Sequence, residues 1–369
     1  MTDFINQIHP WIDHEEKEQL LRVINSTYVT EAGLTKEFEE MIKTLTGSKY
    51  AISMTNGTAA LYCCLKALGV GPGDEVIVPD MTFIATGNAV IMTGATPILC
   101  DVSSHNLSLS PSRLKSKLSS KTKAIIPVHL YGGAADLESL RNFCQKYGIY
   151  MIEDAAQGVG VRYNDKHVGT FGDLGILSFY GNKTITCGEG GVVLTNDETL
   201  AKECYRLKNH GRDEKGIFIH EHIGYNFAFT EMQAAIGIAQ MNKLERIIDK
   251  KNKIYERYIS ELSGIDAFTP LKFNNHITPV YWFTSFFTKY KSEFSQFMKE
   301  QEIQTRQFFY PLHRQPCYKF MGHKPGVFEN SNNAFETGIS LPSAYDLTDQ
   351  QQGRIIENIK SFFDKRGNQ

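Results

Sequence analysis

Apolar strands alternate with amphipathic helices through the first half of the chain, and this alternation constrains the fold more than any other feature. Short runs rich in Val, Ile and Ala predict buried strands, and they lie at residues 50–53, 75–78, 97–101, 124–128 and 150–153. Helical patterns separate them, at residues 58–68, 82–92 and 136–147. Strands that are apolar on both faces and joined by helices form largely parallel sheets covered on both sides. The sequence therefore predicts an α/β fold.

The pattern changes after residue 172. Residues 174–179 and 191–195 predict antiparallel strands added to the parallel sheet, and residues 197–208, 229–242 and 242–262 predict helices. We place the domain change within the last helix. The expected division is a large domain of residues 1–245, including N-terminal helices at 14–26 and 35–46, and a small α+β domain of residues 246–369 with its clearest strand at 281–286.

Charge and cysteine content exclude several classes of partner. The net charge of the 369-residue chain is −2, too small to hold nucleic acid or an anionic membrane through its overall field. No apolar stretch approaches the ~18 residues of a membrane span. The seven cysteines are scattered, as free thiols in a reducing compartment are. We expect a cytoplasmic protein that binds any phosphate-bearing ligand through a local site.

An acid and a lysine carry the strongest chemical indication. Asp154 ends an apolar strand, where a carboxylate is unfavourable unless paired, although Asp is also a common helix cap. Lys183 follows a second strand and lies among glycines that let the chain fold closely around a bulky ligand. Pyridoxal phosphate needs such a pair, because a lysine forms the Schiff base and a carboxylate keeps the pyridine nitrogen protonated. The two residues together predict an enzyme that uses this cofactor.

Other segments could complete the site. Gly57 and Thr58 begin a helix after a strand, which makes an anion site or only a capped helix start. Phe83 could stack on a cofactor ring or belong to the core. Gln157 and Ser178 could bind the cofactor's phenolic oxygen and phosphate, or be ordinary turn residues. The histidines at 210, 220 and 222 lack the carboxylate and cysteine partners of a usual metal site, so we expect no metal.

With these residues and motifs, the chain resembles the DegT-type sugar-nucleotide aminotransferases, which are pyridoxal phosphate enzymes of fold type I. The resemblance covers residues 8 to 360. The stretches that carry it are Thr55–Thr58, Gly73–Pro79, Val128–Gly132, Glu153–Gln157, Ser178–Gly191 and Gly224–Asn226.

The resemblance implies a role for each candidate. Lys183 would hold the cofactor and move protons, and Asp154 would pair with the pyridine nitrogen. The remaining cofactor contacts would come from Gly57, Thr58, Phe83, Gln157 and Ser178. Asn226 would reach the phosphate bound in a neighbouring subunit, which implies a homodimer with shared active sites.

The resemblance also implies the reaction. The expected substrates are L-glutamate and a nucleotide-linked keto-deoxysugar, with products used for surface polysaccharides such as lipopolysaccharide. Residues 180–186 are similar to GDP-perosamine synthases, which aminate C4 of the sugar, whereas the context of Gln157 resembles enzymes that aminate C3. Family members that dehydrate carry histidine at the lysine position, so Lys183 favours transamination. A regulator that keeps the fold and senses sugar nucleotides is the alternative of another class. Arg212, Arg306 and His313 are candidates for a basic substrate rim.

Overall fold

The computed structural model describes residues 4–213, 216, 218–322 and 326–367. Its α-helices are α1 His14–Ser26, α2 Gly33–Thr46, α3 Gly57–Ala67, α4 Ala85–Met92, α5 Pro111–Leu114, α6 Leu137–Tyr147, α7 Glu198–Lys208, α8 Glu231–Leu262, α9 Lys291–Glu300, α10 Glu329–Thr337 and α11 Asp349–Gly367. Its strands are β1 Tyr50–Met54, β2 Glu75–Pro79, β3 Thr96–Cys100, β4 Thr122–Ile125, β5 Tyr150–Asp154, β6 Arg162–Tyr163, β7 Lys166–His167, β8 Leu174–Ser178, β9 Gly191–Thr195, β10 Thr269–Pro270, β11 Ile277–Thr278, β12 Thr284–Phe287, β13 Arg306–Gln307 and β14 Gly338–Leu341.

The main sheet of the described ranges has seven strands in the order β1-β9-β8-β5-β4-β2-β3. Strands β3, β2, β4, β5 and β8 are parallel, and β9 is antiparallel to both of its neighbours, β1 and β8. The expectation of two antiparallel additions is therefore wrong for residues 174–178. The chain after β5 turns back through the β6–β7 hairpin before it enters β8, so β8 pairs with β5 in the same direction.

Both faces of this sheet are buried, because successive side chains of a strand point to opposite sides. Ile77 of β2 packs in a cluster with residues of α2, α6 and α8. Val76 and Val78 pack on the other face with residues of α3, α4 and α7. The predicted α/β architecture is confirmed, and the apolar character of the strands on both faces is its cause.

Local sequence explains where several helices begin. Asp13 caps α1 in a capping box with Glu16, and Asp136 caps α6 by accepting from the backbone of Ser139. The two helices expected over residues 229–262 form one continuous helix, α8, capped by Thr230. The change from apolar to charged composition near residue 242 marks a change of environment along one helix, not a break.

The C-terminal part contains an antiparallel sheet in the order β10-β12-β14-β13. A separate apolar cluster joins it to α9, α11 and the C-terminal half of α8. The N-terminal segment also reaches this part, since Ile5 bridges Ile303 and Gln7 donates to the carbonyl of Leu341. The domain division at residue 245 stays a prediction. No helix in the described ranges is long and apolar enough to cross a membrane.

Candidate active site

The candidate active site lies where parallel strands end. The carboxyl ends of β1, β2, β5 and β8 meet at one edge of the main sheet, the edge at which open α/β sheets bind ligands. A cavity of about 540 Å³ opens there. The predicted residues that line it are Gly57, Thr58, Phe83, Asp154, Gln157, Ser178, Lys183 and Arg306. Residues far apart in sequence thus form one cavity, because the strands before them share a direction.

Asp154 presents a buried carboxylate to the cavity. Its Oδ2 accepts from the Thr86 hydroxyl at 2.8 Å, and its Oδ1 accepts from the Ala156 backbone at 3.2 Å. Burial raises the pKa of Asp154, while the bond from Thr86 and the nearby Lys183 oppose this shift. A charged ligand group would offset the cost of burying this carboxylate.

Lys183 faces the same cavity. Burial lowers the pKa of its amine to about 8; Asp154 raises this pKa and the positive charge of Arg306 lowers it further. Lys183 is half-buried, and it lines the cavity. A lysine with this pKa carries far more free, nucleophilic amine near neutral pH than a surface lysine does.

Gly57, Thr58 and Ser178 form one wall. Asn56 caps α3 by accepting from the backbone N–H of Ala59 at 2.9 Å, and the first N–H groups of a helix lack partners within it. A Cβ at Gly57 would lie 3.2 Å from the Cβ of Ser178, so the absent side chain leaves the Ser178 hydroxyl close to these amides. This arrangement can bind a phosphate.

Gln157 and Phe83 lie on other walls. The Gln157 carboxamide oxygen accepts from the backbone N–H of Tyr131 at 2.8 Å. Its amide nitrogen is therefore the group left to donate to a ligand. Phe83 is 57% exposed and its ring lies 5.9 Å from that of Phe309, with a face available for stacking.

Three predicted residues do not line this cavity. Arg212 donates to the side chain of Asn209 at 2.8 Å, and His313 binds Asp80 at 2.7 Å through Nδ1. Asn226 is exposed and forms an isolated bridge with Asn209. Their binding roles, including that of Asn226 in a neighbouring subunit, stay predictions.

The structure adds residues that sequence reasoning missed. Thr86 lies in α4, four positions after Thr82, and bonds both the Thr82 hydroxyl and Asp154; two threonines at this spacing could have indicated a polar contact. Trp282 contacts Lys183 although it lies 99 positions further along the chain, and no sequence pattern near Trp282 predicts this contact. Glu189 also lines the cavity.

The donor set fits pyridoxal phosphate. Asp154 suits the pyridine nitrogen, Gln157 suits the phenolic oxygen, and the free helix amides with Ser178 suit the phosphate. Lys183 supplies the amine that must join the aldehyde. These groups line one cavity of about 540 Å³, a size that is usual for sites that bind small molecules and cofactors.

Comparison with known proteins shows the family to which the chain belongs. A model of the DegT/DnrJ/EryC1/StrS aminotransferase family matches residues 10–360. The chain belongs to this family. It is 39% identical over 364 residues to the GDP-perosamine synthase of Vibrio cholerae, covering 96% of this chain and 98% of that protein.

Solved structures agree with this family. DesV of S. venezuelae, in complex with a ketimine intermediate, matches with a TM-score of 0.93 and 29% identity, covering 98% and 99% of the two chains. The PLP form of the putative sugar aminotransferase Spr1654 from Streptococcus pneumoniae matches with a TM-score of 0.92, 25% identity and coverage of 98% and 99%. Its apo form matches with a TM-score of 0.91. The predictions of a fold type I, pyridoxal phosphate-dependent sugar-nucleotide aminotransferase are confirmed.

Proposed function

We propose that the chain transfers the amino group of L-glutamate to C4 of a nucleotide-linked 4-keto-6-deoxy sugar, as a step towards a surface polysaccharide. The observation that carries this proposal is the convergence of Lys183 and Asp154 in one cavity of the α/β sheet. Similarity to a GDP-perosamine synthase supports the 4-keto sugar and makes GDP the first nucleotide to test.

Each side chain has a defined task. Bound pyridoxal phosphate supplies an electron sink for the amino acid carbon. Asp154 would hold a positive charge at the pyridine nitrogen, and Gly57, Thr58 and Ser178 would fix the phosphate. Lys183 would hold the cofactor, and its free amine would take a proton from the α-carbon of the amino donor and carry it during the transfer.

The substrate side of the cavity is mixed in charge. Arg306 lines it and stacks over Phe283 at 5.1 Å, which fixes the guanidinium without neutralising it. We propose that Arg306 contacts the glutamate carboxylate or the sugar diphosphate. Glu189, on the same cavity, can accept hydrogen bonds from sugar hydroxyls.

We propose that the active form is a cytoplasmic homodimer. Asn226 is exposed beside Phe227, which lines the cavity of its own chain. A second copy seated on this face would let Asn226 reach the other site, as a two-fold interface requires. Arg212 and His313 remain candidates for contacts with the large substrate.

Purified enzyme with glutamate and a panel of nucleotide keto-sugars tests the proposal. NMR of the product should place the new amine on C4 of the sugar. An amine on C3 would favour the 3-aminotransferase alternative. Loss of the substrate's hydroxyl without amination would indicate a dehydratase. Binding of sugar nucleotides with no product would favour the regulator.

A further inference from the structure

Trp282 lies directly against the proposed reactive lysine. The centre of its indole ring is 4.5 Å from Lys183 Nζ. Its Nε1–H donates to the backbone carbonyl of Asn182 at 2.6 Å. Trp282 lines the cavity but is only 2% exposed. It therefore contacts both the amine and the backbone that carries the amine.

Helix α8 places another lysine behind this tryptophan. Lys251 is 3% exposed, and its Nζ donates to the carbonyls of Trp282 at 3.1 Å and Ser343 at 3.2 Å. Burial lowers the pKa of Lys251 to about 7. Three other lysines of the described residues are buried: Lys208 and Lys243 lie within 3.1 Å of carboxylates, whereas Lys291 donates to the carbonyl of Phe335. The hydrogen-bond partners of Lys251 among the described residues are also carbonyls, and there are two of them.

A buried lysine without a carboxylate partner is costly, so its contacts are informative. The Trp282 carbonyl also lies 3.5 Å from the Ser343 hydroxyl, so two donors converge on it. Lys251 thus ties the segment before β12 to the segment after β14. The fixed segment carries the indole that touches Lys183.

We propose that Trp282 positions Lys183 and stabilises its charged form, and that Lys251 acts as a positioning residue by holding the Trp282 backbone. This inference deepens the proposed function and rests on the role of Lys183 in it. The negative face of an indole attracts an ammonium group. The ring therefore acts with Asp154 to keep Lys183 protonated, whereas burial and Arg306 favour the neutral amine.

Tryptophan fluorescence tests the ring contact without any catalysis. The chain has two tryptophans, so Trp11→Phe leaves Trp282 as the sole indole. A related chain keeps this fold in its apo form, so the cofactor-free protein is a suitable sample. We expect the emission of Trp282 to change with pH at a midpoint of about 8, the pKa of Lys183. Lys251 also contacts the Trp282 backbone, and its pKa of about 7 can add a second change at lower pH. Lys183→Met should abolish the change centred near pH 8 and leave any change centred near pH 7, and persistence of the change near pH 8 would overturn the assignment.

Lys251→Met in the Trp11→Phe protein tests whether Lys251 positions Trp282. Loss of its two bonds should increase quenching of Trp282 by acrylamide and lower the Lys183 midpoint by about 0.4 pH unit or more. Lys253→Met, at an exposed position of the same helix, should change neither value. Unchanged quenching and midpoint in a folded Lys251→Met protein would overturn the positioning role.

If the Lys251→Met protein does not fold, Trp282→Phe still tests whether Trp282 stabilises the charged form of Lys183. In the cofactor-loaded enzyme with Trp11 intact, this variant loses the bond to Asn182, and the pH midpoint of the cofactor's visible band should fall. Trp11→Phe is the matched control and should not shift it. An unchanged or higher midpoint would overturn the proposal. Failure of the proposed function would appear separately, as amino transfer that survives Lys183→Ala.

Discussion

Replacing Asp154 by asparagine removes the negative charge of the site and little else. The amide oxygen can still accept a hydrogen bond from Thr86 or from the Ala156 backbone. What the variant loses is the charge that keeps a pyridine nitrogen protonated. Two unit charges in hydrogen-bond contact attract by roughly 5 kcal/mol at an effective dielectric constant of about 20. The cost of burying the carboxylate, which raises the pKa of Asp154, offsets part of this energy.

A net loss of about 2.7 kcal/mol corresponds to a rate about 10²-fold lower. Steady-state amino transfer from glutamate should show this loss in kcat, while cofactor affinity should fall less, because the phosphate contacts remain. Thr86→Val is the control that removes a partner of Asp154 but keeps its charge, and its loss should stay under about tenfold. If Asp154→Asn lowers kcat by less than about threefold, Asp154 is only a structural cap and the reasoning fails.

The other predictions concern protonation, folding and assembly. Lys183→Ala should abolish amino transfer and keep the fold, measured by turnover and circular dichroism; wild-type turnover would contradict its role. Labelling of the Lys183 amine in cofactor-free protein should rise with pH through about 8, because only the neutral amine reacts, and Arg306→Met should move this midpoint upward. A midpoint near that of a surface lysine would show that the amine is not buried as described. Burial would raise the pKa of Glu153, but bonds from His129 and the backbone of Gly169 and Gly172 outweigh it and lower the pKa. Glu153 thus stabilises the fold above its ordinary pKa, and this contribution is lost as the pH falls through the lower, folded value. Glu153→Gln should cost about 3 kcal/mol in denaturant unfolding near neutral pH, and a cost under about 1 kcal/mol would refute this pairing. Mixing Lys183→Ala with Asn226→Ala should restore up to about half of the activity per dimer after subunit exchange. Exchange without recovery would show that Asn226 serves its own subunit.

The strand pattern was enough to predict the α/β sheet and the edge at which the site forms. Val76, Ile77 and Val78 place apolar side chains on both faces of β2, as a strand covered by helices on both sides requires. The direction of β8 could not be predicted in the same way. The direction of β8 depends on where the chain emerges from the β6–β7 hairpin that precedes it. The residues of β8 itself do not indicate that direction.

The site residues show the same distinction between what local sequence predicts and what depends on distant packing. Asp154 and Lys183 follow strands within a short stretch of chain, so local sequence was enough to pair them. Trp282 and Lys251 reach the site through packing of the C-terminal part, and nothing near them in sequence points to Lys183. Arg212 was predicted from its charge alone, and in the structure that charge binds Asn209.

The central claim is that Lys183 is the lysine on which amino transfer depends. Borohydride reduction of the cofactor-loaded enzyme, followed by peptide mass mapping, tests it most directly, because reduction fixes the cofactor to the amine that holds it. We predict the cofactor's mass on the peptide that contains Lys183, and no such label after prior treatment with glutamate. A label on another lysine, such as Lys251 or Lys208, would contradict the account.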